Sequence, residues 1–98
     1  MKDVERLQKV IKDLHGLDSH HTASVMVRDT IRGKTFWNGI VEIFQVHGNK
    51  PARFAYAWTY KYDKGAPRDV AVLGLPPIDS AKDAVHAYIV AQAVRKSS

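Results

Sequence analysis

From Arg53 to Tyr62 the chain reads R-F-A-Y-A-W-T-Y-K-Y, with an aromatic ring at every second position and small or cationic residues between. Side chains of a β-strand alternate across its two faces, so one face carries Phe54, Tyr56, Trp58, Tyr60 and Tyr62. The other carries Arg53, Ala55, Ala57, Thr59 and Lys61. A helix would scatter the rings around its axis, so this segment predicts a strand that organises a sheet.

Around it, the pattern predicts an α+β domain spanning 1–98. Val4, Leu7, Val10, Ile11 and Leu14 recur at three- and four-residue spacing and predict an amphipathic helix over 3–15, stopped by Gly16. Strands follow at 22–30 and 35–46, joined through Arg32-Gly33-Lys34, and a fourth short strand spans 70–75. Pro76 and Pro77 hold the next segment extended. Ser80, three residues before Asp83, then caps a last helix running to about Lys96. The expected fold is an N-terminal helix, a four-stranded antiparallel β-meander and a C-terminal helix, with both helices on one face.

Pairing the second and third strands through a tight turn sets Gly39 beside Trp58 and Val41 beside Tyr56. One face then gathers Trp37, Gly39, Val41 and Ile43 with the aromatic row. The opposite face holds Glu42 and Arg53, whose burial would cost desolvation, so the aromatic face is expected to be the core. The last helix, rich in Ala84, Ala87 and Ala91, suits close approach to large rings. Its apolar residues occupy most of its circumference, which predicts burial on more than one side.

On this reading Met26, Arg28, Phe36, Ile40, Glu42, Phe44, Arg53, Ala55, Ala57 and Lys61 form an exposed apolar island edged by charge. An island of that kind meets a partner. The expected partner is a second copy of the chain, because a core this thin gains from added burial and twofold dimers are the commonest oligomers. The leading expectation is thus a non-enzymatic, self-associating protein-interaction module.

The net charge of +5 and pI near 9.6 keep nucleic acid as an alternative partner. That reading needs Arg28, Lys34, Lys50, Arg53, Lys61 and Lys64 to converge on one surface. A third reading is a small-ligand-binding protein or enzyme with a pocket between sheet and last helix, using Glu42, His86 or Tyr88 as polar handles.

The absence of cysteine excludes disulfides, thiolate catalysis and cysteine-ligated metal centres. His15, His20 and His21 lack metal-ligand spacing and are placed in a solvated loop, with His47 and His86 on the surface. No phosphate-loop or dinucleotide glycine pattern occurs, and no serine sits in an activating motif. The chain is therefore expected to use no cofactor and no metal and to lean away from catalysis. Without an apolar leader or a bilayer-length apolar run, it is expected in the cytoplasm with no membrane partner.

Three stretches, Trp37-Asn38-Gly39-Ile40-Val41-Glu42-Ile43-Phe44, Ala55-Tyr56-Ala57-Trp58 and Val72-Leu73-Gly74-Leu75-Pro76-Pro77-Ile78-Asp79-Ser80, resemble small uncharacterised bacterial proteins of the mobile gene-cassette type. The resemblance covers residues 22 to 90 and implies a bacterial accessory protein, but no activity, cofactor or catalytic residue.

Overall fold

The structure, a computed structural model, describes residues 2–31, 33–48, 51–60 and 67–97. Its elements in chain order are α1 (Lys2–His15), β1 (Asp18–Ile31), β2 (Lys34–His47), β3 (Phe54–Tyr60), β4 (Arg68–Leu73) and α2 (Ala81–Ser97). The strands pair antiparallel in the order β1-β2-β3-β4. The chain is α+β, with a helix at each end of one antiparallel sheet.

The two helices lie on opposite faces, which corrects the expectation that both share one. α2 packs on the aromatic face, where Ala81, Ala84 and Val85 meet Val27, Val41, Tyr56, Trp58 and Val70. Its small residues let the Trp58 ring lie close beneath the helix, and Tyr88 meets that ring edge-on at 5.8 Å. α1 packs on the other face, pressing Leu7 and Ile11 into a bed of Phe44, Val46, Ala52, Ala55, Ala57 and Ala71. Three alanines from neighbouring strands make a shallow apolar trough that fits the ridge of an amphipathic helix. Glu42 and Arg53 do not oppose this, because Arg53 stays outside the layer and the Glu42 charge meets polar partners. Arg53 is exposed ahead of β3, and Glu42 stays half-buried with polar partners of its own.

Polar contacts fix α1 in place. Arg6 donates to Asp69 Oδ2 at 3.0 Å, to Asp3 Oδ1 at 2.9 Å and to Thr59 Oγ1 at 2.9 Å, and the Asp69 charge foremost holds the guanidinium above its ordinary pKa. His15 Nε2 lies 3.0 Å from the Ala71 carbonyl, and Gly16, at φ 70°, closes the helix with its N–H on Lys12 O at 2.8 Å. At the other end of the chain, Ser80 Oγ accepts from the Asp83 N–H at 3.1 Å, so the expected cap of α2 is present.

β2 and β3 pair with Ile43 opposite Tyr56 and Glu42 opposite Ala57. This is two residues from the expected register and therefore keeps every side chain on its expected face. The shift follows from a wider connection: Val46 N–H reaches Arg53 O at 2.9 Å, and Ala52 folds back into the core. Gly39, expected beside Trp58, is instead covered by the indole of its own strand's Trp37, whose ring would lie 2.7 Å from an added Cβ.

Candidate functional site

β1 and β2 form a ribbon of 14-residue strands that outruns β3, with 7 residues, and β4, with 6. α2 covers only part of this ribbon. Along the aromatic face Val41 is buried in the α2 core, with Trp37 and Ile43 packed partly buried against it, and Ile43 and its partner Ala23 reach the first turn of the helix. A cleft of about 770 Å³ opens there. Its floor is largely apolar, formed by Ala23, Val25, Val27 and Ile43 with Phe54 and Tyr56; Thr22, Met26 and Arg28 line it along β1, and its far wall is Ser80, Ala81 and Lys82 at the first turn of α2.

The linker from Gly74 to Asp79 makes the second wall. Gly74 N–H bonds Phe54 O at 2.8 Å, and a Cβ on Gly74 would stand 3.1 Å from that carbonyl and 3.2 Å from the Tyr56 ring. Glycine is thus what lets the linker lie against β3. Behind it an annex of about 440 Å³, lined by Pro51, Arg53, Gly74, Pro76, Pro77 and Ile78, meets the main cleft at Phe54, Tyr56 and Asp79.

Polar groups gather where the two volumes meet. Burial pushes the Tyr56 phenol above its ordinary pKa, and the Asp79 and Asp83 charges push it further, so it stays a neutral hydrogen-bonding group. The Asp79 carboxyl is raised by its hydrogen bond and charge interaction with Asp83, whose own carboxyl is lowered by the hydrogen bond from Asp79. An apolar floor with a few convergent polar groups at one end is the usual make-up of a small-molecule site, and the volume lies within the common range of about 300–1,000 Å³.

The residues of the expected island are dispersed. Phe44, Ala55 and Ala57 are fully buried beneath α1 and form no free surface. Met26 and Ile40 do face outward as a cross-strand pair, 67% and 47% exposed, on the α1 face. Arg28 Nε donates to Thr35 Oγ1 at 3.2 Å, Met26 and Arg28 both line the cleft, and Arg53 lines the annex. Lys61 and the side chain of Phe36 lie outside the described residues, as do Lys50 and Lys64.

Glu42 acquires partners because of a β-bulge. The pairing slips between His21 and Ala23, which turns His21 and Ser24 to the same side as Glu42. His21 Nε2 lies 2.9 Å from Glu42 Oε1, and Ser24 Oγ donates to the same oxygen. Ser24 Oγ is 3.4 Å from His21 Nε2. Since the imidazole nitrogen nearest the serine already faces the carboxylate, the trio anchors Glu42 and is not arranged as a proton relay.

The histidines placed in a loop from sequence instead belong to structure. β1 begins at Asp18 and takes in His20 and His21, because β2 is long enough to pair with them although Ser19, His20 and His21 carry no apolar alternation. His86 Nδ1 lies 3.2 Å from Asp29 Oδ1, tying α2 to β1. Asp29 is 2% exposed, and its Oδ2 has no hydrogen-bond partner among the described residues. Val25, Val27 and Asp29 share one face of β1, so the strand period was the signal that places this acid in the core. Glu42, His86 and Tyr88, expected as polar handles, do not line the cleft.

No protein-family model, curated protein or solved structure matches the chain. Among the described residues no helix is long and apolar enough to cross a membrane, and no three metal-ligating side chains cluster to hold an ion.

Proposed function

We propose that this chain is a binding module for a small, largely apolar ligand, taken up in the cleft between the β1–β2 ribbon and the first turn of α2. The observation that carries this reading is the uncovered floor: Val25 and Phe54 stand partly exposed on the face that elsewhere forms the α2 core. Leaving apolar surface wet is unfavourable by about 25 cal/mol per Å², and a ligand that covers it recovers that free energy. Tyr56, Ser80 and Asp79 at the junction would orient a polar end of the ligand.

A fragment screen followed by amide chemical shifts tests the reading. Apolar fragments should move the signals of Ala23, Val25, Ile43, Phe54 and Ala81, and Val25→Glu should remove those shifts while the rest of the spectrum keeps its dispersion. Hits that cluster elsewhere, or that bind Val25→Glu unchanged, would remove the basis of the proposal.

Self-association remains a second reading on one observation, the outward-facing pair Met26 and Ile40. Light scattering of the wild type and Ile40→Lys, which lies outside the cleft, separates it from the first: a dimer lost in Ile40→Lys supports it, and a wild-type monomer excludes it.

A further inference from the structure

Beyond the cleft, the same face of the ribbon turns polar. The β2 row that runs Trp37, Gly39, Val41 and Ile43 ends in Gln45 and His47, and these stand opposite His20 and Asp18 on β1. His20 Nδ1 and His47 Nε2 face each other at 3.0 Å, with ring centroids 5.1 Å apart and planes inclined by only 28°. Two imidazole nitrogens that meet in this way admit one proton between them, one ring donating and the other accepting. The contact is exposed, on adjacent strands whose pairing fixes both backbones.

We propose that His20 and His47 form a two-nitrogen seat for a late first-row divalent metal ion, Ni²⁺, Cu²⁺ or Zn²⁺. At metal–nitrogen bonds of about 2.0–2.1 Å, two nitrogens on one ion stand about 2.9 Å apart at a right angle and about 3.4 Å apart at the tetrahedral angle. The observed 3.0 Å falls within that bite. A modest rotation of both exposed rings turns the facing lone pairs toward a common point, where the ion replaces the shared proton. Imidazole suits these borderline ions, and Cu²⁺ should bind most tightly of the three. Asp18, in register with His47, lies nearest on the pairing ladder, but its Oδ1 is held by Lys12 Nζ at 3.0 Å. The remaining coordination positions are therefore open to water or to a donor from another molecule.

The test is a titration of the full chain with Cu²⁺, followed by calorimetry and electron paramagnetic resonance, and repeated with Zn²⁺ under amide chemical-shift detection. The expected result is one ion with two nitrogen donors and shifts centred on His20, Gln45 and His47. Loss of an outer partner that merely orients a ligand already weakens metal binding about 10- to 100-fold, so His20→Ala and His47→Ala should each weaken it at least about tenfold. His86→Ala, which alters a ring tied to Asp29, should leave the affinity unchanged. Wild-type affinity in His20→Ala or His47→Ala, or a wild type that binds no better than the double variant, would overturn the proposal.

Discussion

The position of α1 makes the sharpest energetic prediction. Ile11 and Phe44 are both fully buried in the cluster between α1 and the alanine trough. Truncating a buried Phe to Ala costs about 3–5 kcal/mol and an Ile about 2–5 kcal/mol, through lost transfer free energy and the cavity left behind. Both values should fall toward the upper part of their ranges, because the trough is already lined by Ala55, Ala57 and Ala71 and has little side chain left with which to collapse. Against a total of about 5–15 kcal/mol for a domain, Phe44→Ala should remove a large fraction of the stability. With a urea m-value of about 1.5 kcal/mol/M, a loss in the upper part of that range should lower the unfolding midpoint by about 3 M. The double variant should lose less than the sum, since the two side chains share one cavity. Leu14→Ala, on the same helix but 62% exposed, should change stability by no more than about 0.5 kcal/mol. If Phe44→Ala cost less than about 1 kcal/mol, α1 would not be packed on this face and the three-layer arrangement would be wrong. By the same reasoning Phe44→Glu should unfold the chain and not yield a folded monomer.

Other outcomes follow from single contacts. Ser80→Ala removes the acceptor for the Asp83 N–H and should cost about 1 kcal/mol by thermal or urea unfolding. His86→Ala takes away the one hydrogen-bond partner found for the Asp29 carboxylate among the described residues, and should destabilise by about 1–3 kcal/mol. Adding Asp29→Val should recover part of that loss, because removing both polar partners relieves the desolvation cost. Carboxyl NMR titration should find the Asp79 and Asp83 pair split, one apparent pKa above and one below the ordinary value, and Asp83→Asn should bring Asp79 back down.

The aromatic strand was legible because its period of two leaves no alternative, and it placed Trp58 and Tyr56 in the core correctly. The face opposite was misjudged for a physical reason. A charged residue on a strand forbids burial only when it lacks partners, and Glu42, which shares a cavity wall with Asp3 and Leu7 of α1, meets His21 and Ser24. Composition gives the charge but not the partners that the fold brings to it. The bulge at His21–Ala23 was equally hidden, since one unpaired residue leaves no mark in the alternation of a polar segment, yet it decides which side His21 takes. Asp29 could have been found from its place in the Val25–Val27 row. The cleft could not, because it arises from a mismatch between the length of the ribbon and the starting point of α2.

That mismatch is what opens the cleft. Had β3 and β4 matched the ribbon in length and α2 begun a turn earlier, Ile43, Val25 and Phe54 would be core residues like Val41 and Trp58. Instead Gly74 seats the linker against β3, and the two prolines delay the helix until Ser80 can cap it. The cap lies on the cleft wall, so the residue that starts α2 also sets the height of that wall. Along one face of the ribbon the surroundings then pass from covered to partly open to polar: Trp37 and Val41 under α2, Ile43 in the cleft, Gln45 and His47 at the tip. A ligand in the cleft and an ion on His20 and His47 would occupy neighbouring steps of this gradient. Occupation of the tip should therefore stiffen the β1–β2 pairing that forms the cleft floor, and Zn²⁺ should slow amide exchange at Ala23 and Ile43 in the wild type but not in His47→Ala.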